Sequence, residues 1–144
     1  MLQMMSGDDV AGRAGYTDDG GCRPGANRVL IVDSDRDARR SVVDYLRAGG
    51  WLVDEAADGS AALTQMRQSR PDVVVLEPAV PSMDGRSFVS AWRQDPLLPA
   101  VPLVLLASMP SRLSSVDEWR ARAGLAKPVD LDVLAAVVMR VARS

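Results

Sequence analysis

Short apolar runs alternate with stretches of helical periodicity along this chain, and this alternation limits the fold more than any other feature. Three runs are rich in Val, Leu and Ile, at residues 28–33, 72–77 and 102–107. They are too apolar on both sides for exposed strands and are typical of buried parallel strands. The run at 51–56 is more polar and indicates a strand nearer an edge, and 124–126 is a short fifth strand. The pattern predicts an α/β protein with a doubly wound parallel sheet and helices on both faces.

The segments between these runs predict five helices, at about 35–48, 60–69, 85–94, 111–123 and 131–142. Ser34 or Asp35 is placed to cap the first helix, and Gly49 follows its last turn. The apolar pattern of the fourth helix is the weakest. We expect these side chains of the first three helices to face the core: Ala38, Val42, Tyr45, Leu46, Ala61, Leu63, Met66, Phe88, Val89 and Trp92.

The first 27 residues differ from the rest of the chain. They contain Gly, Asp and Pro with little periodicity, and we expect a flexible N-terminal tail over residues 1–27. Met4 or Met5 is an alternative start. Residues 28–144 are long enough for one domain.

Composition excludes several classes of function. The formal charge is -2 with no basic patch visible along the sequence, so we expect no direct nucleic-acid binding. No apolar run has the length of a membrane span and no secretory signal is present, so we expect a cytoplasmic protein with no membrane contact. Cys22 is the only cysteine, and the absence of His excludes His-based catalysis and His metal ligands.

Two charged residues stand out by position. Glu77 directly follows the central apolar run, and ligands of open α/β sheets bind at the carboxyl ends of such strands. Lys127 is the only lysine beside sixteen arginines and precedes Pro128 after the last strand. This position favours a pocket residue over an ordinary surface cation. Asp33, after the first run, is a candidate to cap the next helix, to pair with Lys127, or to belong to an acidic pocket.

Three segments together carry a family resemblance. An acidic loop begins at Asp33, Val80-Pro81-Ser82-Met83-Asp84-Gly85 follows the third strand, and Ala126-Lys127-Pro128-Val129 follows the fifth. In this order and spacing, over residues 28–143, the chain resembles the receiver domain of two-component response regulators. The resemblance implies a flavodoxin-like fold, with five parallel strands in the order 2-1-3-4-5.

The resemblance also implies an altered metal and acceptor site. In the family, two acids after strand one and a phosphoacceptor Asp after strand three hold Mg²⁺. Asp33 matches the first acid, Ser34 replaces the second, and Glu77 replaces the phosphoacceptor Asp. The vestigial metal positions are thus Asp33, Glu77 and Ala79. Because Mg²⁺ needs several oxygen ligands in strict geometry, we expect its binding to be weakened or lost, and we expect no cofactor.

The phosphate-reading positions are altered as well. Family members contact the phosphoryl group with a Thr or Ser at the end of strand four and a Lys after strand five. Ala107 stands at the former position, with Ser108 immediately after it, and Lys127 matches the latter. Gly124 replaces an aromatic switch residue three positions before the lysine.

These departures predict that the chain is not phosphorylated. Glu77 carries its carboxylate one methylene farther out, and a misplacement of about 1 Å can cost about 10²-fold in rate. The carboxylate is instead expected to pair with Lys127 across the ends of two strands. Two alternatives stay open: weak phosphorylation, and a constitutively active state in which Glu77 partly mimics phosphate.

The expected function is that of a stand-alone atypical receiver, not an enzyme, which acts in trans through protein contacts. Its expected partners are a histidine kinase, an output protein or another regulator, with a homodimer through residues 111–142 as a further expectation. Surplus apolar residues Val133 and Val137 lie off the inner face of the last helix and mark a candidate partner face. Trp119 is either core or a half-exposed anchor for a partner.

Two other classes have less support. Asp33-Ser34-Asp35 resembles the nucleophile motif of haloacid dehalogenase-type phosphatases, with Asp130 and Asp132 as further acids, but that reading leaves the Val80–Gly85 loop without a role. A flavin or nucleotide binder of the same architecture is disfavoured because the first loop is acidic and has no glycine to cradle phosphate.

Overall fold

A computed structural model describes residues 27–79, 85–108 and 115–143. The strands are β1 (Arg28–Val32), β2 (Leu52–Ala56), β3 (Val73–Leu76), β4 (Leu103–Ala107) and β5 (Ala123–Ala126). The helices are α1 (Arg36–Ala48), α2 (Gly59–Ser69), α3 (Gly85–Gln94), α4 (Ser115–Glu118) and α5 (Leu131–Ala142). The predicted tail and the loop at 80–84 lie outside the described residues.

The five strands form one parallel sheet in the order β2-β1-β3-β4-β5. This is the flavodoxin-like order, so the predicted fold class is confirmed. The more polar β2 lies at an edge, as its composition indicated, and every residue of β3 and β4 is buried. Parallel strands place their carboxyl ends at one edge of the sheet, which brings the segments after β1, β3 and β5 together.

Alternate strand residues face two separate cores. Leu30 and Val32 of β1 point to the core under α2 and α3, whereas Val29 and Ile31 point to the core under α1 and α5. The period of two along a strand produces this division, and apolar residues at both phases are what a sheet covered on both faces requires. The inward prediction for Phe88, Val89 and Trp92 of α3 is confirmed.

The predicted inner face of α1 is partly wrong. Asp35 is the N-cap and Gly49 the C-cap, as expected, and Val42 and Leu46 are buried. Tyr45, however, is 37% exposed, and its hydroxyl donates to Asp132 of α5. Val43 takes the buried position instead, because core residues on a helix recur three to four positions apart.

The fourth helix is shorter than predicted. Among the described residues, α4 ends at Glu118, whereas the prediction extended to Ala123, and the predicted start at 111 lies outside them. Arg120 has a φ of 54°, a left-handed conformation that a continuing α-helix excludes. The chain then enters β5 at Ala123, and Trp119 is buried in the core under α2 and α3.

The outer face of α5 also needs one correction. Val133 is 47% exposed, as predicted, but Val137 packs partly against the core under α1 and α5. Leu134, Val138 and Val141 form the buried stripe of the helix. Of the helices in the described parts of the chain, none is long and apolar enough to cross a membrane.

Candidate functional site

Three charged residues meet where the carboxyl ends of the strands converge. Asp33 and Glu77 directly follow the neighbouring strands β1 and β3, and Lys127 follows β5. Backbone hydrogen bonds extend the sheet to these residues: Glu77 N donates to Val32 O at 2.9 Å, and Lys127 N donates to Ala107 O at 2.9 Å. The sheet itself therefore fixes where the three side chains begin.

The cluster is largely withdrawn from water. Asp33 is 3% exposed and Glu77 5%, and the side chain of Lys127 is 15% exposed. Lys127 Nζ forms a close ion pair with Asp33 Oδ2 and lies 3.5 Å from Glu77 Oε1. Two buried carboxylates thus share one ammonium, an arrangement that is stable only when hydrogen bonds compensate the remaining charge. The predicted contact of Glu77 with Lys127 is present, and Asp33 is the nearer partner.

Backbone amides supply that compensation at Glu77. Ser108 N donates to Glu77 Oε1 at 3.0 Å, and Ala79 N donates to Glu77 Oε2 at 3.2 Å. Each carboxylate oxygen therefore accepts from the loop after a different strand. Hydrogen bonds to a charged acceptor are stronger than hydrogen bonds between neutral groups. The two amides and the Lys127 ammonium therefore form an anion site, and the Glu77 carboxylate occupies it. Sequence reasoning noted Ser108 only for its hydroxyl and missed its amide.

Asp33 is held by its own neighbours. Its Oδ1 accepts from Asp35 N at 2.9 Å, and its carbonyl oxygen accepts from Arg39 Nη1 at 2.6 Å. The helix cap is Asp35, whose Oδ1 accepts from Asp37 N and Ala38 N, so the capping alternative for Asp33 is wrong. Asp130 likewise caps α5. Of the acids named for a phosphatase, Asp35 and Asp130 are therefore helix caps, and Asp33 is paired with Lys127.

At the positions where the resemblance places a magnesium ion, the chain has two carboxylates, Asp33 and Glu77, and the hydroxyl of Ser34. In the described ranges, no group of three or more Asp, Glu, His or Cys side chains is placed to hold a metal. The two carboxylates at hand, Asp33 and Glu77, already face the Lys127 ammonium, whose positive charge opposes a nearby cation. Mg²⁺ prefers near-octahedral oxygen ligands, and Ser34 offers only a neutral hydroxyl.

The predicted switch positions lie beside the cluster but add no polar side chain to it. Ala107 is the last residue of β4 and is buried, and it pairs with Ala126 of β5. Gly124 pairs with Leu105 in the same ladder. Neither residue carries a hydroxyl or an aromatic ring. Among the described residues, the Ser108 amide after β4 and Lys127 after β5 contact Glu77.

Gly85 fixes the start of α3 against the loop that follows Glu77. Its N–H donates to Pro78 O at 3.3 Å, and a Cβ added at Gly85 would lie 2.6 Å from that same oxygen. Only glycine permits this approach, because real Cβ atoms keep more than 3.0 Å from such neighbours. The close approach holds the backbone next to Ala79, which is one of the two amide donors to Glu77. Residues 80–84 of the family motif lie outside the described residues.

A cavity of about 560 Å³ opens beside the cluster. It lies between α1 and the segment that leads into α5, and Val42, Leu106, Lys127 and Pro128 are among its lining residues. Its walls are mainly apolar, with Lys127 at one side. Of the three charged residues, Lys127 is therefore the one that lines this cavity.

Arginines from distant parts of the sequence gather at another place, near the end of α3. Arg93, Arg120 and Arg122 line one cavity there, and Arg86 lines a second beside it. Arg86 forms an ion pair with Glu118, so the positive charge at this surface is partly compensated. These residues are spread over 86–122, so no run of charge reveals them.

The candidate partner residues are not gathered in one exposed face. Trp119 is buried, so the half-exposed alternative is wrong, and its Nε1 has no hydrogen-bond partner within the described part of the chain. Arg86 lies over the Trp119 ring, with its Cζ 5.5 Å from the ring centroid. Of the three candidates, Val133 alone is a large exposed apolar side chain.

Comparison with known proteins identifies the family. The family model described as "Response regulator receiver domain" matches residues 29–139. The chain is 39% identical over 115 residues to the transcriptional regulatory protein PrrA of Mycobacterium leprae (strain TN), covering 79% of this chain and 48% of that protein. It is 32% identical over 120 residues to Protein Rrf1 of Nitratidesulfovibrio vulgaris, covering 78% of this chain and 80% of Rrf1.

A solved structure agrees with the sequence match. The chemotaxis response regulator CheY4 of Vibrio cholerae aligns with a TM-score of 0.72 at 30% identity, covering 81% of this chain and 98% of that one. The fold and the strand-end cluster thus define a receiver-type α/β domain. The chain belongs to the response regulator receiver family of two-component signalling. It spans about half the length of the PrrA relative.

Proposed function

We propose that this chain is a receiver that works without being phosphorylated and transmits a signal through protein contacts. The observation that carries the proposal is the engagement of Glu77. Its two oxygens accept from the Ser108 and Ala79 amides and face the Lys127 ammonium. By the family resemblance, Lys127 and the end of β4 serve the incoming phosphoryl group, and here a carboxylate of the chain already uses them.

The chemistry of transfer supports this proposal. In-line phosphoryl transfer depends on a positioned nucleophile and on neutralisation of the charge that develops. A Glu77 carboxylate turned toward two amides is held as an acceptor of hydrogen bonds and not presented as a free nucleophile. The replacement of the second acid by Ser34, and the absence of a group of three or more metal-ligating side chains among the described residues, support weakened binding of the neutralising Mg²⁺.

A second candidate is a receiver held permanently in its active state. The observation that favours it is the reach of Glu77, which joins β3 to the end of β4 through Ser108 N and to Lys127 after β5. A phosphoryl group would join the same elements, but with three acceptor oxygens and more charge. Ala107 lacks the hydroxyl that reads this state, so a single fixed conformation accounts better for the whole site.

The test is the intact mass of the protein after incubation with acetyl phosphate and Mg²⁺. We expect no phosphoryl adduct on the wild type. The positive control is the triple variant Ser34→Asp, Glu77→Asp, Ala107→Thr, which restores the second acid, the acceptor and the hydroxyl. Stoichiometric phosphorylation of the wild type at Glu77 or Asp33 would refute the proposal. An adduct on the triple variant alone would support it.

Partners are part of the same proposal. Receiver domains of two-component systems interact with histidine kinases and output domains, and similarity to a transcriptional regulator supports an output in gene regulation. We propose contact in trans with such a protein, or a homodimer, through residues 111–142, with Val133 at the exposed face of α5. Capture of a purified candidate kinase by wild type, but not by Val133→Asp, would support this face. Equal capture would reject it.

A further inference from the structure

The cavity of about 560 Å³ beside Lys127 has the size and the walls of a small-molecule site. Cavities that take small organic ligands have volumes of about 300–1,000 Å³, with mainly apolar walls and a few polar groups. The apolar residues that line this cavity are Ala38, Val42, Leu106, Pro128, Val129 and Leu131. The described part of its wall also contains the polar residues Asp35, Ser41, Ser108 and Lys127. An apolar molecule with one or two hydrogen-bonding atoms therefore suits the cavity.

The fold holds the walls of the cavity in place before a ligand arrives. Leu106 belongs to β4 and Val42 to α1, and both side chains are buried. On the other side, the segment after β5 leads to Asp130, which caps α5. The Tyr45 hydroxyl of α1 donates to Asp132 of α5 and joins the two helices. Because these elements are already ordered, filling the space between them costs little conformational entropy.

Lys127 supplies a hydrogen-bond donor at one side of the cavity. Its ammonium has three N–H bonds, and its partners among the described residues are the carboxylates of Asp33 and Glu77. One N–H therefore remains for a ligand atom that accepts a hydrogen bond. Hydrogen bonds from a charged donor are stronger than hydrogen bonds between neutral groups, so this N–H can fix the orientation of a ligand.

The two carboxylates at Lys127 determine which charge a ligand can carry. Asp33 and Glu77 both lie against the ammonium and together carry more negative charge than it neutralises. A ligand carboxylate or phosphate at Lys127 would come close to both of them and be repelled. The oxygen of an uncharged carbonyl group accepts from the ammonium with less repulsion. Ser41 and Ser108, which are exposed residues of the same wall, can bond further polar atoms of the ligand.

We propose that this cavity binds a small, uncharged and mainly apolar molecule whose carbonyl oxygen accepts a hydrogen bond from Lys127. The apolar part of the molecule lies between α1 and the segment that leads into α5, against Val42 and Val129. A ligand in this position contacts α1, the end of β4 and the start of α5 together, so its binding stabilises the folded chain. The inference goes beyond the proposed function, because it requires the pairing of Lys127 with Asp33 and Glu77 and not the absence of phosphorylation.

The test is a titration of the full chain with benzophenone, followed by the amide resonances of Ser41, Ser108, Lys127 and Leu131. We expect saturable shifts at these amides. Diphenylmethane has the same two rings but no carbonyl group, so it should bind about tenfold more weakly. Diphenylacetate carries a carboxylate beside the two rings and should also bind more weakly than benzophenone, because the two carboxylates at Lys127 repel it.

Two alanines of α1 provide matched variants. Ala38 lines the cavity, whereas Ala48 is exposed at the end of the same helix and is not among the lining residues. Leu is a good helix former, so both Ala38→Leu and Ala48→Leu should fold, and thermal melting checks this. We expect Ala38→Leu to fill part of the cavity and to raise the dissociation constant of benzophenone at least about tenfold. Ala48→Leu should leave it unchanged.

A second measurement on the wild type locates the ligand without any variant. Ultraviolet light adds a nearby C–H bond across the carbonyl group of benzophenone, and peptide mapping should place the adduct on residues 38–42, 106–108 or 127–131. The proposal fails if benzophenone does not saturate or if diphenylmethane or diphenylacetate binds as tightly. It also fails if the two Leu variants change affinity equally, or if the adduct lies on other residues.

Discussion

The two edges of the sheet hold their cations in opposite ways. At the carboxyl edge, Lys127 is largely buried and faces two buried carboxylates, Asp33 and Glu77. At the amino edge, Arg93 and Arg120 line one cavity, and the Arg93 guanidinium donates to the carbonyl oxygens of Trp119 and Arg120. The first cation is therefore held by buried carboxylates. The second is held by neutral backbone acceptors.

This difference shows two ways in which one chain holds a cation, by buried carboxylates or by backbone carbonyl groups. An anion site needs amide or cationic donors. A carboxylate from the same protein can accept hydrogen bonds from these donors when its side chain is long enough to reach them. Glu77 reaches both the Ser108 and the Ala79 amide, so its anion site is filled from within. Arg93 instead donates to the carbonyl oxygens of Trp119 and Arg120, so backbone groups and not a buried side chain hold its guanidinium.

The largest expected effect is at Lys127. Replacing it by Met leaves Asp33 and Glu77 buried beside each other without a cation, so Lys127→Met should lower the free energy of unfolding by about 3–5 kcal/mol. Urea denaturation at neutral pH measures this change. The double variant Lys127→Met, Glu77→Gln removes one of the two stranded charges and should recover part of the loss. A loss under about 1 kcal/mol would mean that the pair behaves as a surface ion pair.

A smaller effect is expected at Arg93. Replacing it by Met removes the charged donor from the carbonyl groups of Trp119 and Arg120. We expect Arg93→Met to cost about 1–2 kcal/mol, because hydrogen bonds to charged groups contribute about 1.5–3 kcal/mol and these are only partly shielded from water. The same denaturation experiment checks it. If Arg93→Met costs as much as Lys127→Met, the contrast between the two edges is wrong.

The smallest effect is expected at the two left-handed arginines. Arg120 has a φ of 54° and Arg70, at the end of α2, a φ of 49°. Changing Arg120 to Gly removes a strain of about 1–2 kcal/mol but adds about 0.5–1 kcal/mol of glycine entropy, so the variant should gain between about 0 and 1.5 kcal/mol. Arg70→Gly also loses a hydrogen bond to Leu97 O and should gain less. Thermal melting of the two variants compares them. A clear loss at Arg120 would show that its side chain stabilises the fold.

The sequence predicted most of the fold because its signals are strong and local. Apolar runs at β1, β3 and β4 and the periodicity of α3 fix their elements within a residue or two. Predictions failed where contacts between residues distant in the sequence determine the burial of a side chain or the end of a helix. Tyr45 was placed inside because it is apolar in part, but its hydroxyl finds Asp132, a residue 87 positions away. The end of α4 depends on a left-handed Arg120, which local preference argues against.

The candidate site was predictable in its side chains but not in its backbone. Family motifs located Asp33, Glu77 and Lys127, and their strand ends bring them together. The amides of Ser108 and Ala79 carry no residue-type signal, because every residue except proline has an N–H. The grouping of Arg93, Arg120 and Arg122 around one cavity was missed for a related reason, because these residues approach only after α3 packs beside the segment that enters β5.

The most direct test of the filled anion site is amide hydrogen exchange at Ser108. In the wild type this amide donates to Glu77 Oε1, so exchange should be slow. In Glu77→Ala the acceptor is gone, and we expect exchange at Ser108 to be on the order of tenfold faster, in line with a hydrogen bond worth about 1.5 kcal/mol. The Asp35 amide, which donates to Asp33 Oδ1, is the internal control and should not change. Equal exchange at Ser108 in both proteins would contradict the account.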